Sequence, residues 1–138
     1  MVDFACLQVG DTLPPLVMPP ISRHALALYC GASGDHNPIH VDLDFARAAG
    51  MPDVFAHGML SMAYIARMLT HWTAQENLRS LGVRFVAITQ VGESITCTGK
   101  VVDSVQQDGE TRLRVVVTAI NQNGETRLTG EAVVATPH

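Results

Sequence analysis

From Gly58 to about Ala74 the chain carries no proline, and Leu60, Met62, Ala63, Ile65, Ala66, Met68 and Leu69 leave almost no polar face before His71. A helix that is apolar on nearly every side has to be enclosed by other structure. The enclosing material comes directly after it. Val83 to Thr89, Ser94 to Val105, Thr111 to Asn121 and Thr126 to Thr136 are rich in Val, Ile and Thr, as strands are. Asp108-Gly109 and Asn123-Gly124 separate the last three runs with residues that tolerate the positive φ of tight hairpins. A weaker strand near Leu13 to Met18 is confined to an edge by Pro14 and Pro15. The expected fold class is α+β: one domain over residues 1–138, with a long central helix packed on the concave face of a curved antiparallel sheet. So short a sheet exposes its edges, and joining two copies edge to edge would cover them, so a dimer is expected.

Two shorter helices precede the long one. Ser22 can cap a helix to about Ala32, with Ala25, Leu26, Leu28 and Tyr29 as its apolar stripe, and Leu43 to Ala49 reads as a second, closed by Gly50. With 47% hydrophobic and 16% charged residues, the composition is that of a chain that folds around a core. A net charge of −4, with nine scattered basic residues, offers nucleic acid no electrostatic footprint. No apolar run approaches the roughly 20 residues of a membrane span. Met1 to Phe4 lacks the basic start of a secretory signal, and a cytoplasmic location is expected. Cys6, Cys30 and Cys97 are odd in number and widely spaced, so they read as small buried hydrophobes rather than a disulfide or metal framework.

The chemistry-bearing residues crowd into Ser33-Gly34-Asp35-His36-Asn37-Pro38-Ile39-His40, followed by His57 and Gly58 at the start of the apolar helix. Pro38 excludes a regular helix here, because the residue before a proline is pushed towards extended geometry. Asp35 and His40 are therefore free to converge across a loop. A carboxylate and an imidazole facing one small molecule suit proton transfer. The Gly58 amide, at the first turn of a helix, has no internal partner and lies at the positive end of the dipole, where an oxyanion is stabilised.

The stretch Tyr29 to His40, with Gly34-Asp35-His36-Asn37-Pro38-Ile39-His40, and the second motif Ala56-His57-Gly58-Met59 resemble the signature of MaoC-like (R)-specific enoyl thioester hydratases. The resemblance implies a hot dog fold, usually dimeric, with no metal or redox cofactor. By position it implies Asp35 and His40 as the catalytic pair and the Gly58 amide as oxyanion donor. It also implies trans-2-enoyl or (R)-3-hydroxyacyl thioesters of coenzyme A or acyl carrier protein as substrates. Asn37, His57 and Met59 are candidate substrate contacts. The single-domain length also resembles dehydratase subunits in which a catalytic chain pairs with a related one, so a heterodimer stands beside the homodimer. The segment Phe85 to Glu93 departs from the family's usual pattern: Ile88, Thr89 and Glu93 stand where Pro, Val and Asp are common.

Other readings compete. Asp35 and Asn37 are residues that readily hydrogen-bond their own backbone in a turn. His36, His40 and His57 with Asp35 could ligate a metal, although Pro38 removes the one-turn helical ligand pair and no cysteine lies near. His57 could cap the helix, pack or touch substrate. Met59, Met62 and Met68 fit the core or a slot for an acyl chain. At the level of function, an acyl thioesterase and a noncatalytic acyl-binding subunit are the alternatives.

Overall fold

A computed structural model describes residues 6–136, so the reading of Met1 to Phe4 lies outside the described residues. In chain order the elements are β1 (Leu16–Val17), α1 (Arg23–Ser33), α2 (Leu43–Ala48), α3 (Gly58–Trp72), β2 (Leu78–Phe85), β3 (Thr96–Gln107), β4 (Glu110–Ile120) and β5 (Thr126–Ala135). The strands form one antiparallel sheet in the order β1-β3-β4-β5-β2. β3, β4 and β5 are the expected meander. β2 joins the far side of β5 instead of lying beside β3, which leaves it as an edge. β1 has only two residues, because prolines at 14, 15, 19 and 20 deprive the flanking backbone of ladder donors.

Side-chain alternation sends Cys97 and Val101 of β3, Leu113, Val115, Val117 and Ala119 of β4, and Leu128, Ala132 and Val134 of β5 to one face. There they form a single cluster with Leu60, Ile65, Met68, Leu69 and Trp72 of α3. Burial of each large aliphatic side chain contributes about 1.5–3 kcal/mol. Gly99 interrupts the inward row of β3 because a Cβ there would lie 2.9 Å from Leu13 Cδ1, on the segment before β1 that runs antiparallel beside β3. On the outer face Thr98 and Thr118 share a 2.5 Å hydroxyl bond, and Arg114 meets Glu131 at 2.6 Å. A long helix lying on a curled antiparallel sheet is the hot dog fold. Among the described residues no helix is long and apolar enough to cross a membrane.

Several expectations need correction. α3 starts at Gly58 as read but ends at Trp72, and the sheet covers only one of its faces: Met59, Ala63, Arg67 and Thr70 are exposed. Met59, read as core or slot, is 53% exposed. In α1, Leu26 and Cys30 are the buried pair, four residues apart, whereas Leu28 points to solvent. Cys6 is exposed, outside the core, while Cys30 and Cys97 are buried, and burial pushes the Cys97 thiol up to about 12. The hairpin at Asp108-Gly109 has both residues at positive φ, as a two-residue turn requires, but at Asn123-Gly124 only the glycine does. There Asn121 closes a longer loop by accepting the Glu125 and Asn123 amides on its side chain.

The strand read as Val83 to Thr89 lies earlier. β2 begins at Leu78, and after Phe85 the chain leaves the ladder, because the Val86 and Ala87 amides both turn to one acceptor, the Arg127 carbonyl. The Thr89 carbonyl then accepts from the Ala56 amide at 2.9 Å, just before α3. Residues 86–89 are therefore a loop beside the helix start rather than strand.

Candidate active site

Gly34 ends α1 in the left-handed conformation at φ 76, donating its amide to the Cys30 carbonyl. The loop beyond it is pinned link by link. Ser33 Oγ donates to the Tyr29 carbonyl and accepts the Asp35 amide at 3.1 Å, Asp35 Oδ1 accepts the Asn37 amide at 3.2 Å, and Asn37 Oδ1 accepts the Ile39 amide at 3.1 Å. Pro38 opens a single 3-10 turn, Pro38–His40, at the position where no donor is needed. The turn reading is thus correct for Asp35 Oδ1 and for the side-chain oxygen of Asn37. The other Asp35 oxygen, Oδ2, faces His40 Nε2 at 3.9 Å.

His40 is 8% exposed, and its Nδ1 lies 2.7 Å from the Phe55 carbonyl. A carbonyl only accepts, so Nδ1 carries the proton, and the Nε2 of the neutral ring presents a lone pair. That lone pair and the Asp35 carboxylate are two acceptors side by side. At 3.9 Å they do not bond each other. Their spacing suits one molecule of water donating to both.

Beneath His40 lies His57, 2% exposed, with its ring stacked on the first at 3.8 Å and 25°. It occupies the N-cap position of α3 but makes no side-chain cap bond. Its Nε2 sits 3.2 Å from the Asp35 carbonyl and 3.5 Å from Cys30 Sγ, and the Tyr29 ring meets it edge-on at 4.7 Å. By the same argument Nε2 is the protonated nitrogen. Burial lowers the pKa of His57, and the bond to the Asp35 carbonyl, acting the other way, does not reverse this. A neutral His57 props Asp35 and His40 from behind. It lies in the interior rather than at an open surface.

Gly58 follows His57 directly and lines a cavity of about 280 Å³ with Phe55, Phe85, Val86, Ile88 and Thr89. A Cβ there would come within 2.8 Å of Phe85 Cε1, so the half-exposed Phe85 ring would have to shift to admit one. Phe55 links the two halves of the site, since the same residue lines the cavity and holds His40. Asn37 is exposed on the loop, and Met59 lies outside the residues lining the cavity.

Asp35, His40 and His57 bring potential metal-donor atoms within 4.8 Å of one another. Imidazole binds a metal along its in-plane lone pair at about 2.0–2.1 Å. Two rings stacked nearly parallel aim those lone pairs side by side instead of at one point, and His57 Nε2 is engaged with the Asp35 carbonyl. The donor geometry favours proton transfer over ligation.

Asp35, His40 and His57 are thus brought together, while Gly58, next to His57 in the chain, lines a cavity whose walls do not include those three. The sequence reading missed the Phe55 carbonyl, which a backbone atom cannot signal, and Cys30 and Tyr29 behind His57. Their placement four and five residues before Gly34 in a helix was the available cue.

Comparison with known proteins points the same way. The family model described as MaoC like domain matches residues 9–123. The (R)-specific enoyl-CoA hydratase of Rhodospirillum rubrum is 30% identical over 119 residues, covering 85% of this chain and 81% of the relative. Fatty acid synthase subunit beta of Aspergillus oryzae is 36% identical over 91 residues, 57% of this chain, but the chain spans only 4% of that protein's length. The solved structure of the unliganded R-hydratase PhaJ1 from Pseudomonas aeruginosa superposes with a TM-score of 0.86 at 26% identity, covering 99% of this chain and 86% of that one. Motif, fold and relatives agree: the chain belongs to the MaoC-like family of hydratases and dehydratases.

Proposed function

We propose that this protein is an (R)-specific hydratase or dehydratase interconverting trans-2-enoyl and (R)-3-hydroxyacyl thioesters, with Asp35 and His40 as the acid-base pair and the Gly58 amide as oxyanion donor. The observation that carries the reading is the placement of His40: its Nδ1 lies 2.7 Å from the Phe55 carbonyl, and its Nε2 faces the Asp35 carboxylate at 3.9 Å.

A water bound between these acceptors donates a hydrogen to each and keeps its lone pairs for the β carbon of the enoyl group. As the C–O bond forms, one of the pair takes the water's proton, and a proton from the pair is delivered to the α carbon, so H and OH add across the double bond. Negative charge gathers meanwhile on the thioester oxygen. A helix-start amide facing it stabilises that charge, and losing such a donor typically lowers kcat by about 10²–10³. The cavity walls of Phe85, Val86 and Ile88 suit an acyl chain. The same groups serve dehydration, since a catalyst lowers one barrier in both directions.

The active form is proposed to be a dimer of this chain. The uncovered face of α3, the free edge of β2 and the exposed Phe85, Val86 and Ile88 support this reading.

The test supplies crotonyl coenzyme A and measures loss of enoyl absorbance, with the hydroxyacyl product resolved by chirality. The wild type should form the (R) product, and Asp35→Asn and His40→Ala should not. A thiol reagent added in parallel detects hydrolysis of the thioester. Thiol release without hydration would establish a thioesterase instead, and variants as fast as the wild type would sink the assignment.

A further inference from the structure

Glu93 is an acid in the interior, 6% exposed, and no step of the proposed reaction uses it. Its Oε1 accepts from Asn121 Nδ2 at 2.5 Å and from Arg127 Nε and Nη2 at 3.0 and 2.6 Å, and its Oε2 accepts the Gln90 amide. Arg127 is the same residue whose carbonyl accepts the Val86 and Ala87 amides at 2.8 and 3.3 Å. One arginine of β5 therefore grips both ends of the 86–90 segment, by its backbone at one end and through Glu93 at the other. Between the two grips lie the residues that wall the cavity beside Gly58.

Energetics indicates why an ion pair stands there. Burying two charges carries a desolvation penalty that their attraction offsets only with good geometry, so apolar replacements of such pairs are often no less stable. Two guanidinium N–H groups converging on one carboxylate oxygen, Glu93 Oε1, fix direction as well as distance. We infer that the Glu93–Arg127 pair is a positioning device that sets the Val86–Thr89 wall against Gly58 and thereby governs how tightly the acyl substrate is held. The inference rests on the cavity being the acyl site of the proposed function.

Glu93→Gln, nearly isosteric and uncharged, and Arg127→Lys, which keeps the charge but loses the paired N–H contact to Oε1, test it in the full chain. With crotonyl coenzyme A, KM should rise roughly five- to tenfold while kcat stays within about twofold, since uniform binding is lost and the proton-transfer pair is untouched. Amide exchange should accelerate about tenfold more at Val86 and Ala56 than at Val115 and Val117 of β4, which report only the general loss of stability on breaking a buried pair. Unaltered KM and unaltered exchange at Val86 and Ala56 would overturn the proposal. So would equal acceleration in β4, which would make the pair a general stabiliser.

Should the wild type not hydrate the enoyl substrate, the functional assignment fails on its own. Calorimetric binding of butyryl coenzyme A then decides the inference. A roughly fivefold weaker Kd in both variants supports it. Equal Kd values, or no binding to the wild type, refute it.

Discussion

Two irregular segments flank the start of α3, and they are held in opposite ways. Ser33 to Ile39 is pinned mainly from within: Ser33, Asp35 and Asn37 each accept the amide two residues on, and Gly34 and Pro38 set the turns, with Phe55 and His57 the outside partners at His40 and the Asp35 carbonyl. Val86 to Glu93 is held from a distance, by Arg127, Asn121 and the Ala56 amide, with Arg127 lying 34 positions from Glu93 in the chain. A self-pinned loop keeps acid and base in register whatever the ligand does. A loop tied through an ion pair can be reset by changing the tie, which suits a wall that measures substrate. In the proposed reaction, proton transfer and substrate fit are then placed on separately supported parts.

The sharpest way to break that division is at the self-pinned loop. Asp35→Asn should reduce kcat by about 10²–10⁴, the usual contribution of a general acid-base group, while the asparagine still accepts the Asn37 amide and keeps the fold. Thermal melting should therefore barely change. A large loss of Tm would show that the loop is not self-supporting. Next in size, Gly58→Ala should lower kcat about a hundredfold by pushing the Phe85 ring, or the oxyanion, out of place. Adding Phe85→Ala relieves the 2.8 Å clash and should return part of the rate. No recovery would mean that the amide itself had been moved.

A smaller effect is expected at His57. His57→Phe retains the stacked ring but drops the donor to the Asp35 carbonyl, and kcat should fall about tenfold. The pH dependence of stability carries a second signal. Because burial lowers the pKa of His57, the unfolded chain binds the proton more readily, so His57 lowers stability as pH falls through the unfolded value near roughly 6.5. Melting curves between about pH 8 and 5 should slope less in the variant; identical slopes would contradict a neutral, buried His57.

The smallest expected effect sharpens the other segment. Burial pulls the Glu93 carboxyl upwards, but the Asn121 and Gln90 donors and the Arg127 charge outweigh it and hold the pKa below the usual carboxylate range. Its contribution is then complete above the unfolded value near roughly 4.3 and is lost as pH falls through the lower folded one. Glu93→Gln should flatten the acid limb of the melting profile below about pH 4.5, and an unchanged limb would argue against the ion pair.

What could be read from the sequence divides along the same contrast. The Asp35 to His40 loop was legible because its bonds are local, and a residue's neighbours two positions away are visible in the chain itself. The helix α3 was legible from its proline-free apolar run, and strands β3 to β5 from their β-like composition and the turn at Asp108-Gly109. The Val86 to Thr89 segment was misread as strand because its composition is β-like, while the Arg127 carbonyl that turns it out of the ladder lies across the sheet. The enclosure of α3 was overstated: the sheet covers one face of the helix, and Met59, Ala63, Arg67 and Thr70 lie exposed on the other. The Phe55 carbonyl that fixes the His40 tautomer left no trace in residue type.

The central claim is that Asp35 and His40 act as a unit on one water, and a double-mutant comparison tests it most directly. The values of kcat/KM for crotonyl coenzyme A hydration would be measured for the wild type, Asp35→Asn, His40→Ala and the double variant. Groups that act together lose their effect together, so the double variant should lie within about tenfold of the slower single one. Losses that multiply would contradict the account, because the two residues would then be acting in independent steps.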